Sequence, residues 1–155
     1  MNDLIITELD SEGILKLKDF DCSPLPKERD SIYFLFYRFF RDTCRLAYVN
    51  DELVGFALGL INQTDPDHAY LHYLFVRQDQ RKNKIGEKLL NEFIESSRNK
   101  KCKRISLMTS NPMNEQYYSR FGFVQDKELI EVNGEDPLYT YLMNEKKMLF
   151  YRLDL

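Results

Sequence analysis

The chain has 155 residues, 43% apolar and 30% charged, a balance expected of one soluble domain over residues 1–155 and not of a disordered or fibrous chain. Its formal net charge of −3 argues against a nucleic-acid partner, whose phosphates call for a surplus of Lys and Arg. Cys22, Cys44 and Cys102 show no paired spacing and have only His68 and His72 for company, so neither a disulfide framework nor a metal site is expected.

In chain order, Ile5 and Ile6 read as a first strand and Ile14 to Phe20 as a helix. The segment with Pro24 and Pro26 breaks structure, and Ser31 is the expected N-cap of a helix running to about Arg41. Tyr33, Phe34, Phe36, Tyr37, Phe39 and Phe40 make that helix almost wholly aromatic; packing is the plainer reading, a pocket wall the sharper one. The run from Ile32 to Tyr37 is the longest apolar stretch and is too short for a bilayer, and no targeting pattern opens the chain. A cytoplasmic protein with no membrane partner is expected.

Arg45 to Val49 and Leu53 to Ile61, joined by Asn50-Asp51, read as a β-hairpin, and Ala69 to Val76 as the next strand. Ile85, Leu89, Leu90, Phe93 and Ile94 fall on one face of a helix ending near Arg98. Arg104 to Met108 reads as a strand and Met113 to Phe121 as a short helix stopped by Gly122. Tyr139 to Leu142 and Met148 to Leu153 are the last expected strands. The strand, helix and strand over 69–108 need a crossover, which makes that part of the sheet parallel.

The turn from Val76 into the helix at Ile85 carries the most chemical information. The first amides of a helix have no internal acceptor, and the positive end of its dipole favours an anion. Arg77, Arg81, Lys82, Lys84 and Lys88 add charge there. Neither the P-loop nor the dinucleotide glycine pattern occurs.

Val76, Arg81 to Gly86 and Leu89-Leu90 resemble the acetyl-CoA signature of the Gcn5-related N-acetyltransferases (GNAT), with Gln78 where Pro is common and Lys84 where the first Gly is usual. Asn111, Tyr118 and Gly122-Phe123 resemble the family's second motif, with Asn114 in place of Ala. The resemblance implies an α/β (α+β) fold of about six or seven strands in a mixed sheet, flanked by about four helices. It also implies a splayed strand pair and an acetyl-CoA cleft. By the same resemblance Leu74, Phe75, Val76, Arg81, Lys82, Asn83, Lys84, Ile85, Gly86 and Glu87 hold the coenzyme, Asn111 meets its pantetheine arm, Tyr118 lies beside the sulfur and the Val76 amide faces the oxyanion.

The implied reaction is direct attack of a primary amine on the thioester through a tetrahedral intermediate. An amine with a pKa near 10.4 is only about one part in 10³ neutral at pH 7, so a base is needed. His72, on the strand leading to Val76, is the candidate base, with a packed or surface histidine the plainer reading and a Glu or Asp acting through water the alternative; Tyr118 is the acid chosen for the departing thiolate. Two tyrosines adjacent on a helix point about 100° apart, so Tyr117 and Tyr118 are not equivalent. Phe40-Arg41-Asp42-Thr43, Leu53-Val54-Gly55-Phe56 and Pro66-Asp67 are similar to diaminobutyrate acetyltransferases, which implies a small amine or diamine acceptor. Asp21, Glu28, Asp30, Glu131, Glu135 and Asp136 are candidates for the acceptor rim. The alternative reading is a coenzyme-A-binding module with little or no activity. A homodimer is open to the chain through strand pairing at Met148 to Tyr151.

Overall fold

The computed structural model describes residues 3–126 and 136–155. Among these residues seven strands form one mixed sheet: β1 (Leu4–Glu8), β2 (Arg45–Val49), β3 (Glu52–Ile61), β4 (His68–Val76), β5 (Arg104–Thr109), β6 (Val124–Gln125) and β7 (Leu149–Asp154), in the order β1-β2-β3-β4-β5-β7-β6. Among the described residues five α-helices accompany it: α1 (Ser11–Lys18), α2 (Asp30–Phe39), α3 (Ile85–Asn99), α4 (Asn114–Ser119) and α5 (Pro137–Asn144).

The β2–β3 hairpin turns on Asn50 and Asp51, with φ of 52° and 64°. Two successive left-handed residues match the twist of a tight hairpin, and Asn and Asp tolerate that conformation better than most. On one face of the sheet, the apolar stripe of α3 (Ile85, Leu89, Leu90, Phe93 and Ile94) packs against Ala47, Val54, Ala57, Ala69 and Leu71. Leu46, Phe56, Leu58 and Phe75 turn to the other face, bulges at Val54 and His72 having shifted the alternation of β3 and β4, and meet Leu17, Phe20, Tyr33 and Phe36 of the α1–α2 region. Full burial of each such side chain contributes roughly 1.5–3 kcal/mol, so both faces are held firmly.

Three elements differ from their sequence expectation. Residues 139–142 lie in α5, not in a strand: Asp136 caps it by accepting from Leu138 N, and Pro137 occupies the first turn, a strong helix start. The N-cap of α2 is Arg29, without a side-chain cap, and Ser31 sits inside the helix. β7 pairs with β5 along its length and with β6 at Tyr151 and Arg152, so it is an interior strand and not a free edge for a second chain. Phe34 and Phe39 of the aromatic helix are 55% and 66% exposed, whereas Tyr33 and Phe36 are core residues.

The feature that positions the site is a fork. β4 and β5 pair in parallel only at His68, Ala69 and Tyr70 with Arg104, Ile105 and Ser106. Beyond Tyr70 the two strands separate, and a cleft of about 770 Å³ opens between Leu71–Val76 and Leu107–Asn111.

Candidate active site

At one end of the cleft β4 hands over to α3. A 3-10 turn spans Gln78–Asn83, and Lys84 then adopts φ 58°, ψ 26° as the N-cap of α3, with no side-chain cap. Lys88 N, donating to Lys84 O at 3.1 Å, makes the first bond of the helix, so the amides of Ile85, Gly86 and Glu87 precede it. Lys84, Gly86 and Glu87 all line the cleft. A β-carbon on Gly86 would lie 2.8 Å from the Tyr117 hydroxyl, so the bare backbone there is a condition of this packing.

The left-handed Lys84 costs roughly 1–2 kcal/mol relative to a residue without a β-carbon. Lys84→Gly should therefore raise Tm by about 2–8 °C in a chain of this size. A thermal melt checks it; an unchanged or lower Tm would show that the lysine side chain compensates the strain.

The cations divide. Arg81 Nε donates to Val76 O at 2.8 Å, and its guanidinium lies 5.3 Å from the centre of the Phe75 ring. Arg77 is taken up by Asp79 and Glu52, each at 2.6 Å. Lys82, Asn83 and Ile85 are not among the cleft-lining residues: Asn83 bonds Gln80, and the Ile85 side chain is in the core while its backbone amide stays at the start of α3.

Arg77 N donates to Val54 O of β3 at 2.7 Å. Adjacent strand amides point to opposite edges, so Val76 presents its own N–H to the fork, the side on which its carbonyl meets Arg81. Across the cleft, Tyr118 packs edge-on to Phe123 at 5.5 Å and to Tyr117 at 5.2 Å. Among the described residues its hydroxyl makes no hydrogen bond, and burial pushes its pKa above the usual tyrosine range. Both tyrosines line the cleft, but Tyr117 lies against Gly86 and Tyr118 against the core. Asn111 lines it too, with Oδ1 accepting from Met113 N at 3.0 Å. Asn114 ties α4 to β5 through Thr109 Oγ1 at 2.9 Å.

His72 enters the cleft at a β-bulge. The register passes from Leu58↔Tyr73 to Gly59↔Leu71, which leaves His72 as the extra residue of β4. Its Nε2 lies 2.7 Å from Glu28 Oε1, and its ring stacks on Phe36 at 5.1 Å and 22°. Glu28 follows the Pro24-Leu25-Pro26 segment, which walls the same end of the cleft. Of the other acidic candidates, Asp21 bonds Ser23, Asp30 sits in the first turn of α2 and Asp136 caps α5. Glu131 and Glu135 lie outside the described residues. Sequence reasoning also missed Tyr117, Thr109, Ser110 and Arg120 as cleft residues; for Thr109, which ends β5, and Ser110, which follows it, that position was the signal available.

The model of the acetyltransferase (GNAT) family matches residues 14–123. The chain belongs to the GNAT acetyltransferase family. Among curated relatives, this GNAT chain is 30% identical over 102 residues to L-2,4-diaminobutyric acid acetyltransferase of Marinococcus halophilus, covering 64% of the chain but only 58% of that relative. It is 32% identical over 150 residues to N-alpha-acetyltransferase 30 of Dictyostelium discoideum, covering 89% of the chain and 80% of the relative. Among solved structures, Arabidopsis thaliana Naa50 in complex with the bisubstrate analogue CoA-Ac-MVNAL superposes with a TM-score of 0.74 at 19% identity, over 98% of this GNAT chain and 99% of the other. That likeness establishes the fold. Among the described residues of the GNAT chain, no helix is long and apolar enough to cross a membrane.

Proposed function

We propose that residues 1–155 act as a single domain that transfers an acetyl group from acetyl-CoA to a primary amine in the fork between β4 and β5. The observation that carries this is the convergence on one cleft of an uncapped helix N-terminus, an outward-facing strand amide, a cleft-lining Tyr and a His held by a carboxylate. When bound there, the coenzyme supplies an activated acyl group. The amides of Ile85, Gly86 and Glu87, with Lys84 beside them, suit its pyrophosphate, and Asn111 suits its amide-bearing arm.

The chain's own groups supply the rest. The Val76 N–H donates to the oxygen that gains negative charge as the amine adds. His72 takes one proton from the arriving ammonium, directly or through water. Tyr118 keeps its proton near neutral pH because burial raises its pKa, and it gives that proton to the sulfur as the C–S bond breaks. One N–C bond forms, two protons leave nitrogen, one proton ends on sulfur and one is released to solvent. These provisions favour catalysis over a passive binding module.

The acceptor end, walled by the Pro24–Pro26 segment and Tyr73 with the Glu28 carboxylate against His72, suits a cationic amine. The longer of the two curated alignments, to an N-alpha-acetyltransferase, and the shorter, to a diaminobutyric acid acetyltransferase, support peptide N-termini and L-2,4-diaminobutyrate as the first acceptors to try. Thiol release from acetyl-CoA across such a panel is the test, and release with none of the amines would overturn the transfer reading.

Acetyl-CoA should also stabilise the protein by about 2.7 kcal/mol at 100 times its Kd, roughly 5–10 °C in Tm for a chain of this size. Free nucleotides should do less. No thermal shift at millimolar acetyl-CoA would remove the coenzyme from the reading.

A further inference from the structure

Resting on the transfer reading above, we infer that Glu28 is the positioning residue for His72, fixing the tautomer in which the imidazole accepts the amine's proton. An ionised carboxylate only accepts hydrogen bonds, so the 2.7 Å contact between Glu28 Oε1 and His72 Nε2 puts the ring hydrogen on Nε2. The lone pair is then on Nδ1, the nitrogen that receives the proton. A His free to hold its hydrogen on either nitrogen would offer the wrong one for part of the time.

The rest of the ring's surroundings serve the same end. Phe36 stacks on the imidazole at 5.1 Å and 22°, so the ring plane is set by packing and its rotation by the carboxylate. The bulge in β4 gives His72 a direction that a regular strand would not. The titratable neighbours in contact with the ring are Glu28 from the segment before α2, and Tyr70 and Tyr73 from its own strand; α2 brings only the neutral Phe36. Glu28 thus supplies the one carboxylate in direct contact with the imidazole among the described residues, and it comes from 44 residues away in sequence. The segment that walls the acceptor end also orients the base.

Two measurements test this. Nitrogen-15 spectra of the protein, which has two histidines, report the tautomer of each; His68, bonded to Ser106 at 2.5 Å, serves as the internal reference. The Nε2–H form of His72 should dominate in the wild type and give way to a mixture in Glu28→Ala, with His68 unchanged. In kinetics, Glu28→Ala should lower kcat at least about tenfold, within the 10²–10⁴-fold that acid–base catalysis supplies altogether, and leave KM for acetyl-CoA unchanged.

In a His72→Ala background the same substitution should cost less than about twofold, because a residue acting through another has nothing left to orient. If Glu28→Ala lowers Tm, Glu28→Gln keeps the shape while removing the charge that holds the hydrogen on Nε2. A tautomer population unmoved by either variant, or equal losses in both backgrounds, overturns the inference and leaves the transfer reading standing. A wild type that acetylates no amine overturns the transfer reading, and the spectra still decide whether Glu28 sets the imidazole.

Discussion

Tyr118→Phe will lower kcat by about 10²–10⁴-fold, the usual worth of a general acid, while Tm stays level or rises slightly. The two readouts part because of how the hydroxyl is placed. Its ring is largely buried, but the residue lines the cleft and the hydroxyl makes no hydrogen bond among the described residues, so removing it takes away no internal partner. The ring contacts with Phe123 and Tyr117 survive in Phe. KM for acetyl-CoA should hardly move. Tyr117→Phe should cost far less, because the Tyr117 hydroxyl lies against Gly86 at the helix end of the cleft. A kcat within threefold of wild type, under conditions where chemistry limits the rate, would mean that the thiolate leaves unaided or takes its proton from water.

The second large effect is on stability. Phe93 has no exposure to solvent and sits at the middle of the apolar face of α3. A β-carbon on Gly59 of β3 would lie 2.1 Å from Phe93 Cε2, which measures how closely the ring rests on bare strand. Phe93→Ala should therefore cost about 3–5 kcal/mol, since two rigid elements flank the space and cannot close over it. In a chain of this size that lowers Tm by roughly 10 °C. Because α3 also carries the Gly86 end of the cleft, coenzyme affinity should weaken in the same variant. A loss below about 1 kcal/mol would show that α3 settles onto the sheet.

Sequence pattern revealed the elements whose signal is local. The helical spacing of Ile85, Leu89, Leu90, Phe93 and Ile94 is visible without a structure because one face of α3 packs on the sheet. Asn50-Asp51 marks a turn because few other pairs accept two positive φ values in a row. Residues 139–142 misled because four residues alternate as well in a strand as in a helix, and the Asp136-Pro137 helix start decides.

At the site, His72, Lys84, Gly86, Asn111 and Tyr118 were legible from motif and spacing, and all five line the cleft. The Glu28 contact was not, because it depends on the path of the segment before α2 and on a bulge in β4, neither of which leaves a mark in local sequence. Ile85 divides between the two. It begins the helix as the turn requires, but its side chain belongs to the core stripe, so only its backbone is near the cleft.

The fork also bears on how an open strand edge is kept from pairing with another chain. Unpaired strand edges ordinarily invite another chain to add on and are a common start of aggregation. Here an open edge lies inside the sheet, between β4 and β5 above Tyr70, and not at its rim. The N-terminus of α3, the Pro24–Pro26 segment and α4 all line the cleft there. A flat strand from a neighbouring molecule has no straight path in. The protein thus keeps backbone donors such as Val76 N–H available for chemistry, in a recess that a slender ligand can enter and an aggregating β-strand cannot.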